Sequence, residues 1–204
     1  MKYINKNLSI EKVKIQTISK KIGTPTYCYS YGQLKKNINS FKKNFNSFAP
    51  LICFAIKSNT NVKLIREIKK FGLGADVVSM GELMMALKAG IDPKKIVFSG
   101  VGKTSNEISY AIDKKILLIN AESRSEVNEI KRIAKSKKKI VDIGIRLNPN
   151  TDAKTLKQIS TGKKENKFGV NEKTFIDIVN HSKLSKNINL KCLSVHIGSQ
   201  ILNH

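Results

Sequence analysis

At three places in this chain, a short apolar run leads directly into a Ser/Thr-x-x-Glu sequence. These sequences occupy residues 79–82, 104–107 and 123–126. At a helix start, such a Ser or Thr side chain accepts a hydrogen bond from a backbone N–H group of the first turn, so the pattern marks where a helix begins. Strands that alternate with helices at this spacing form parallel sheets. The sequence therefore predicts an α/β fold built on a parallel sheet.

Six strands of this sheet can be placed from the apolar runs, and one further short strand is expected before them at residues 26–30. The six are predicted at residues 52–56, 75–78, 96–99, 117–120, 141–147 and 190–197. Besides the helices between these strands, we expect helices at residues 10–20 and 33–45. Residues 1–22 are interpreted as an N-terminal lead-in segment, and residues 23–204 as one domain.

The strand count leaves two folds open. One is a doubly wound sheet that is complete with six strands, and the other is a parallel (β/α)8 TIM-type barrel that is incomplete. A closed barrel needs eight strands and about 250 residues, whereas this chain has 204 residues. We favour the incomplete barrel, truncated at its C-terminus, because ending soon after a parallel strand leaves unpaired backbone groups at the sheet edge.

The net charge of +23 raises the possibility of nucleic-acid binding. We do not favour it, because the lysines are spread over predicted helices and no aromatic residues alternate with them to stack on bases. No run approaches the ~20 apolar residues of a membrane span, and the N-terminus lacks the apolar segment of a secretory signal. Cys28, Cys53 and Cys192 lie far apart in apolar runs. We interpret them as reduced core residues of a cytoplasmic protein, with no metal site.

The apolar run at residues 51–56 ends in Lys57, which is the first candidate for chemistry. Parallel barrels keep their active sites at the carboxyl ends of the strands. Desolvation there would lower the pKa of the amine, which suits a lysine that bonds covalently to an aldehyde. The alternative is an ordinary solvated lysine that follows a strand.

Asp76, Arg146 and His196 lie at or just after the ends of three other predicted strands. Each has a structural alternative: Asp76 could merely flank its strand, Arg146 could be paired within the sheet, and His196 could be a hydrogen-bonded core histidine. Together with Lys57 they indicate a site, because charge is costly at interior strand ends unless something binds there.

The GVGKT sequence at residues 100–104 follows a strand and precedes a helix, as a phosphate-binding loop does. The full pattern requires a glycine five positions before Gly102, and Val97 occupies that position. The loop is then too short to surround a triphosphate, and we do not favour a nucleotide site.

Several short sequences, in order, resemble the pyridoxal-phosphate decarboxylases of fold type III, which use an alanine-racemase-like barrel. They are FAIKSN (54–59), DVVSMGEL (76–83), VFSG (97–100), IRLNP (145–149), STG (160–162), KFG (167–169) and HIGSQI (196–201). The last three resemble the diaminopimelate decarboxylases more closely than the ornithine or arginine enzymes. The resemblance covers residues 23–204 and implies an N-terminal fragment without the C-terminal β domain.

The resemblance also implies roles for five residues. Lys57 would hold pyridoxal 5′-phosphate covalently and later move protons, and His196 would stack on the pyridine ring, so these two would be catalytic. Ser199 would bind the cofactor phosphate. Asp76 and Arg146 would lie close to the cofactor.

The implied reaction is the decarboxylation of meso-2,6-diaminopimelate to L-lysine, the last step of lysine biosynthesis, in a cytoplasmic homodimer. In similar enzymes the acid that bonds the ring nitrogen of the cofactor follows the HIGSQ strand, as do the substrate-binding residues. Because that acid and the remaining edge of the sheet are missing, we expect the 204-residue chain alone to be inactive. Two alternatives stay open. One is a decarboxylase of ornithine, arginine or carboxynorspermidine, and the other is a non-catalytic pyridoxal-phosphate-binding protein.

Overall fold

The computed structural model describes residues 1–152, 161–162, 167–182 and 185–201. The chain forms two compact units, Met1–Pro50 and Leu51–His204. The predicted division into a lead-in segment at residues 1–22 and a barrel domain at residues 23–204 stays a prediction, because compact packing does not define the extent of a domain.

The first unit contains a small antiparallel sheet and two helices. Its strands, in the order β1-β2-β3, are Lys2–Ile4, Asn7–Ile10 and Val13–Lys14, and its helices are α1 (Ile15–Ile22) and α2 (Tyr31–Asn44). Asn5 and Lys6 join β1 to β2 and both have positive φ angles. A two-residue hairpin turn of type I′ requires this backbone conformation, and asparagine adopts it readily.

Three predictions for this unit were wrong. The helix expected at residues 10–20 begins only at Ile15, because the preceding residues pair as hairpins. The described structure has no strand at residues 26–30, because no neighbouring strand pairs with this segment, and Tyr27 and Tyr29 are exposed. Cys28 is exposed as well and so is not a core residue, whereas Cys53 and Cys192 are partly buried.

The second unit is built on a six-stranded parallel sheet with the order β4-β5-β6-β7-β8-β9. The strands are β4 (Cys53–Ala55), β5 (Gly74–Val77), β6 (Ile96–Phe98), β7 (Leu118–Ala121), β8 (Val141–Leu147) and β9 (Ile188–Val195). Each strand pairs with the next one in the sequence, so every crossover advances the sheet in the same direction. A doubly wound sheet reverses direction midway, and that alternative was therefore wrong. The observed order is that of the predicted (β/α)8 barrel.

Helices join the successive strands. They are α3 (Val62–Lys70), α4 (Met80–Lys88), α5 (Ser105–Asp113), α6 (Arg124–Ser136) and α7 (Glu172–Ser182). Leu83, Ile108 and Ile130 project from three of these helices and are fully buried in one apolar cluster with Phe98 and Ile143 of the sheet. Among the described residues, no helix combines the length and the apolar content needed to cross a membrane.

The three predicted helix starts are confirmed. In each, the Ser or Thr side chain accepts a hydrogen bond from the backbone N–H group three residues later. Thr104 and Glu107 form the complete reciprocal capping box. At the start of α6, Glu126 instead accepts a hydrogen bond from the backbone N–H group of Glu122. This bond ties the helix to the loop that carries Glu122, at the carboxyl end of the sheet.

Candidate functional site

A cavity of about 560 Å³ opens at the carboxyl ends of the parallel strands, and Lys57, Asp76, Arg146 and His196 all line it. Lys57 follows β4, the first strand in the sheet order, and His196 follows β9, the last. In a flat sheet, the first and last of six strands would lie about 24 Å apart. The two residues line the same cavity because the sheet curls.

Lys57 lies on a single turn of 3-10 helix, Ile56–Ser58, that directly follows β4. Two hydrogen bonds hold this turn: Ser58 Oγ donates to the Ala55 carbonyl (2.7 Å), and the Asn59 N–H group donates to the Ile56 carbonyl (2.9 Å). Ile56 is fully buried and anchors the turn. Lys57 itself is exposed, so the described residues do not supply the desolvation expected from the sequence.

Asp76 lies on β5 and is partly buried in the cavity wall. Burial raises the pKa of its carboxyl above the ordinary value of 3.8. Ser99 Oγ donates a hydrogen bond of 2.6 Å to Asp76 Oδ1 and opposes this rise. The positive charges of Lys57 and Arg146 oppose it too, as does the His196 ring in its protonated form. The ionisation of Asp76 therefore responds to the charges around it.

Asn120, on β7, is buried and lines the cavity next to Ser99. Its Nδ2 donates to Ser99 Oγ (3.2 Å), so a hydrogen-bonded series runs from Asn120 through Ser99 to Asp76. Asn120 Oδ1 is buried with no hydrogen-bond partner among the described residues. Gly144 makes room for this amide, because a Cβ atom at that position would overlap Asn120 Oδ1.

Arg146, on β8, is held from two sides. Its guanidinium lies over the ring of Phe168, with 4.7 Å from Cζ to the ring centroid, and pairs with the Glu122 carboxylate at 3.2 Å. The Glu122 side chain is only 2% exposed. It also accepts hydrogen bonds from the backbone N–H groups of Gly100 (3.0 Å) and Gly169 (3.2 Å). Glu122 thus fixes Arg146 and joins two neighbouring loops.

The lysine of the GVGKT loop, Lys103, is directed into the protein, and its side chain is 1% exposed. Its Nζ donates to Glu126 Oε1 (2.6 Å) and to the backbone carbonyls of Gly100 (2.6 Å) and Asn120 (2.7 Å). An ammonium group has three donors, so these contacts leave none for a phosphate. The second carboxylate oxygen of Glu126 accepts a hydrogen bond from the backbone N–H group of Glu122.

His196 follows β9 at the open side of the cavity. Its Nδ1 lies 2.6 Å from Thr161 Oγ1, and Arg146 Nη2 donates to its backbone carbonyl (3.4 Å). Partial burial and the positive charges of Arg146 and Lys57 lower the pKa of the His196 imidazole below its ordinary 6.5. This shift favours the neutral form of the ring.

The structure does not bring Ser199 into the cavity. Ser199 is exposed in the turn after β9 and is absent from the described residues that form the cavity wall. Its assignment to the phosphate group stays a prediction. Ser160 of the STG sequence lies outside the described residues, whereas Thr161 and Gly162 are within them.

The sequence reasoning missed several cavity residues: Ser99, Asn120, Glu122 and Thr161. Asn120 and Glu122 lie at the end of a predicted strand, as Asp76 does, so the same signal could have identified them. The ion pair between Lys103 and Glu126 joins residues 23 positions apart. In the sequence, this ion pair is visible only as two charged residues that follow neighbouring strands. In a lysine-rich chain, such a pattern does not indicate a contact.

Comparisons with known proteins identify relatives of this chain. The family model described as "Pyridoxal-dependent decarboxylase, pyridoxal binding domain" matches residues 31–204. The diaminopimelate decarboxylase of Helicobacter pylori strain J99 is 46% identical over 180 residues, which cover 88% of this chain and 44% of the relative. That of Aquifex aeolicus is 39% identical over 203 residues, covering 100% of this chain and 48% of the relative.

A solved structure supports the same relationship at the level of the fold. The crystal structure of the diaminopimelate decarboxylase from Helicobacter pylori, complexed with L-lysine, superposes with a TM-score of 0.91 at 42% sequence identity. The match covers 93% of this chain and 48% of that structure. The chain therefore spans about half the length of the relatives it matches.

Proposed function

The chain belongs to the pyridoxal-dependent decarboxylase family through its pyridoxal-binding domain, and on this basis we propose that it carries the cofactor site of a diaminopimelate decarboxylase. The proposed reaction of the whole protein converts meso-2,6-diaminopimelate to L-lysine and carbon dioxide. The names of the relatives and the L-lysine complex of one of them support this substrate. A cytoplasmic homodimer is the proposed state of that protein.

The observation on which the proposal rests is the meeting of Lys57, Asp76, Arg146 and His196 in one cavity. A volume of about 560 Å³ suits a cofactor-sized ligand. The exposed amine of Lys57 is accessible to an aldehyde, and the buried Asn120 Oδ1 offers a hydrogen-bond acceptor. The residues present therefore fit pyridoxal 5′-phosphate.

Three residues would hold the cofactor directly in this proposal. Lys57 would bond to it through its amine, His196 would place its ring against the pyridine, and Ser199 would bind the phosphate. When bound, pyridoxal phosphate supplies a ring that accepts the electron pair left behind by departing carbon dioxide.

The remaining cavity residues would supply orientation and charge. Arg146 keeps one position because Glu122 and Phe168 hold its guanidinium, so its positive charge requires little rearrangement when an anionic ligand enters. Asp76 faces this charge and that of Lys57, and Ser99 holds its carboxylate at 2.6 Å. Fixed charges of this kind favour one orientation of a bound carboxylate over others.

Trapping of the cofactor tests the site. We expect incubation of the chain with pyridoxal phosphate, reduction with borohydride and peptide mapping by mass spectrometry to place one label on Lys57. The Lys57→Ala variant should lose the label. The Lys63→Ala variant changes another exposed lysine, on α3, and should keep it. Labelling distributed over many lysines, with none preferred, would contradict the assignment.

Turnover tests the substrate. We expect the protein that contains this chain to release carbon dioxide from meso-diaminopimelate with a higher kcat/KM than from ornithine, arginine or carboxynorspermidine. A preference for one of the other three would replace the proposed substrate. Labelling of Lys57 without turnover of any of the four would identify a non-catalytic pyridoxal-phosphate-binding protein instead.

A further inference from the structure

We propose that Thr161 is a positioning residue that fixes both the rotation and the tautomer of the His196 ring, with the ring proton on Nδ1 and Nε2 left as an acceptor. The inference deepens the proposed function, because its consequence for the cofactor rests on the role proposed for His196. The contacts that support it belong to the chain itself.

Thr161 Oγ1 makes two contacts with His196. This atom lies 2.8 Å from the backbone carbonyl oxygen of His196 and 2.6 Å from His196 Nδ1. A hydroxyl group has one proton to donate, and a carbonyl oxygen can only accept. If the hydroxyl donates to the carbonyl, Nδ1 must donate to the hydroxyl. The reverse choice would leave two oxygen atoms 2.8 Å apart with no hydrogen between them.

Thr161 is itself held against the segment that carries His196. Its backbone N–H group donates to the Ile197 carbonyl (3.2 Å), and the N–H group of Thr151 donates to the Gly162 carbonyl (2.8 Å). Gly162 is buried, and a Cβ atom there would lie 3.1 Å from Ile197 Cα. The hydroxyl is therefore placed by backbone contacts on both sides.

The tautomer matters for the neutral form of the ring, which carries a single ring proton. An imidazolium ion would donate from both nitrogens, but partial burial and the positive charges of Arg146 and Lys57 disfavour that form. A neutral ring has one donor and one acceptor. With Nδ1 bound to Thr161, the ring plane is fixed and Nε2 can accept but not donate. His196 then presents the same ring face, and an Nε2 atom that always accepts a hydrogen bond, to any ligand in the cavity.

Imidazole NMR of the ¹⁵N-labelled chain tests this directly, without cofactor or substrate. The chain has three histidines, and a His196→Gln variant assigns the signals of His196. His181 serves as an internal reference, because its Nδ1 lies 2.7 Å from the Asp177 carbonyl and must also donate. In the unaltered chain we expect His196 to be protonated at Nδ1.

Two variants at position 161 isolate the hydroxyl group. Thr161→Val keeps the shape and removes the hydroxyl, so the ratio of Nδ1–H to Nε2–H forms should fall roughly two- to tenfold, the effect of one net hydrogen bond. Thr161→Ser keeps the hydroxyl and should restore the ratio. Unchanged His181 signals in both variants show that the fold is intact.

Two results would overturn the proposal: an Nε2-protonated His196 in the unaltered chain, or a tautomer ratio that Thr161→Val does not change. Failure of the proposed function would be recognised by a different observation, namely the absence of a reduced pyridoxal adduct on Lys57. The imidazole measurement does not depend on that adduct.

Discussion

The central strands and the outer strands of the sheet hold their charged residues in opposite ways. Over β6 to β8, the side chains of Lys103, Glu126, Glu122 and Arg146 are at most 12% exposed, and they bond to one another and to the surrounding loops. At the two ends of the sheet order, Lys57 and His196 are exposed. Both groups lie at the carboxyl ends of the same six strands.

This difference separates structural from chemical roles. In the central network, two cations and two carboxylates balance in pairs, and a buried charge is tolerated only when it is paired and hydrogen-bonded. Within the described parts of the chain, Lys57 and His196 form no ion pair, and their amine and imidazole groups are exposed. The comparison predicts that substitutions in the centre change stability, with Arg146 serving the cavity as well, whereas substitutions at the ends change ligand binding with little effect on stability.

The largest loss of stability is expected when the buried ion pair between Lys103 and Glu126 is broken. Lys103→Met removes the cation and leaves the Glu126 carboxylate buried and unpaired, which should lower the free energy of unfolding by about 3–5 kcal/mol. Urea denaturation followed by circular dichroism measures this loss. Lys70→Met, which breaks an exposed ion pair with Glu67, is the matched control and should cost about 1 kcal/mol or less.

The double variant Lys103→Met/Glu126→Gln sharpens the same test. Because it removes both charges, it should be more stable than Lys103→Met alone. If the single and double variants are equally unstable, the loss of stability comes from packing, and the charge of Glu126 does not contribute to it.

A smaller effect is expected from Gly144→Ala. The new Cβ atom would overlap Asn120 Oδ1 and lie 3.2 Å from Cys192 Cβ, so the Asn120 amide must move. We expect a loss of about 1–3 kcal/mol in the free energy of unfolding. Gly81→Ala is the control, since its Cβ atom would meet only Ser79 Oγ at 3.8 Å. Equal effects of the two substitutions would show that Gly144 is not needed to accommodate Asn120.

The sequence predicted the second unit far better than the first. All six strands of the parallel sheet lie close to where the apolar runs placed them. The inner strands β5 to β8 are largely buried and stand out as apolar runs between more polar helices. The outer strand β9 alternates partly buried with exposed residues and still carries enough apolar residues to be recognised. The first unit has only short, half-exposed strands, and Ile10 and Val13 fit a helical pattern as well as a hairpin. Pairing between segments decided its structure, and a single sequence does not report pairing.

The site shows the same division. Lys57, Asp76, Arg146 and His196 could be selected because charge at the end of a buried strand is unusual. The Glu122 contact with Arg146 could not, because it depends on how far the sheet curls and on where the loops around Gly100 and Gly169 lie. Residues whose own position in a strand is unusual can be identified from a sequence. Residues whose role depends on a contact with a distant partner can be identified only from the three-dimensional structure.

The charge on Asp76 makes stability depend on pH. The raised pKa means that the folded chain binds this proton more tightly than the unfolded chain, so Asp76 lowers stability as pH rises from its ordinary value of 3.8 through the raised value. Asp76→Asn should remove this loss, and its stability relative to the unaltered chain should improve between about pH 3 and about pH 7. Thermal unfolding at both pH values measures the change.

Asp113→Asn is the control for Asp76 and has the opposite sign. Hydrogen bonds from Lys137 and Lys139 lower the pKa of the Asp113 carboxyl to about 2. Asp113 therefore adds stability above its ordinary value of 3.8, and this stability is lost as pH falls towards about 2. The stability of the Asp113→Asn variant, relative to that of the unaltered chain, should therefore be lower at neutral pH than at acid pH. If both variants follow the same trend, burial does not govern Asp76.

The smallest effect on stability is expected at the open end of the site. Lys57 is exposed and lies within a turn that Ser58 and the buried Ile56 hold in place. Lys57→Ala should therefore change the free energy of unfolding by no more than about 0.5 kcal/mol, as for an exposed residue outside any network. The same variant should lose the borohydride-reduced pyridoxal label completely. A large loss of stability would place Lys57 within the structural network and remove the division between the centre and the ends of the sheet. An unchanged stability with a lost label would show that the chain keeps this amine for chemistry alone.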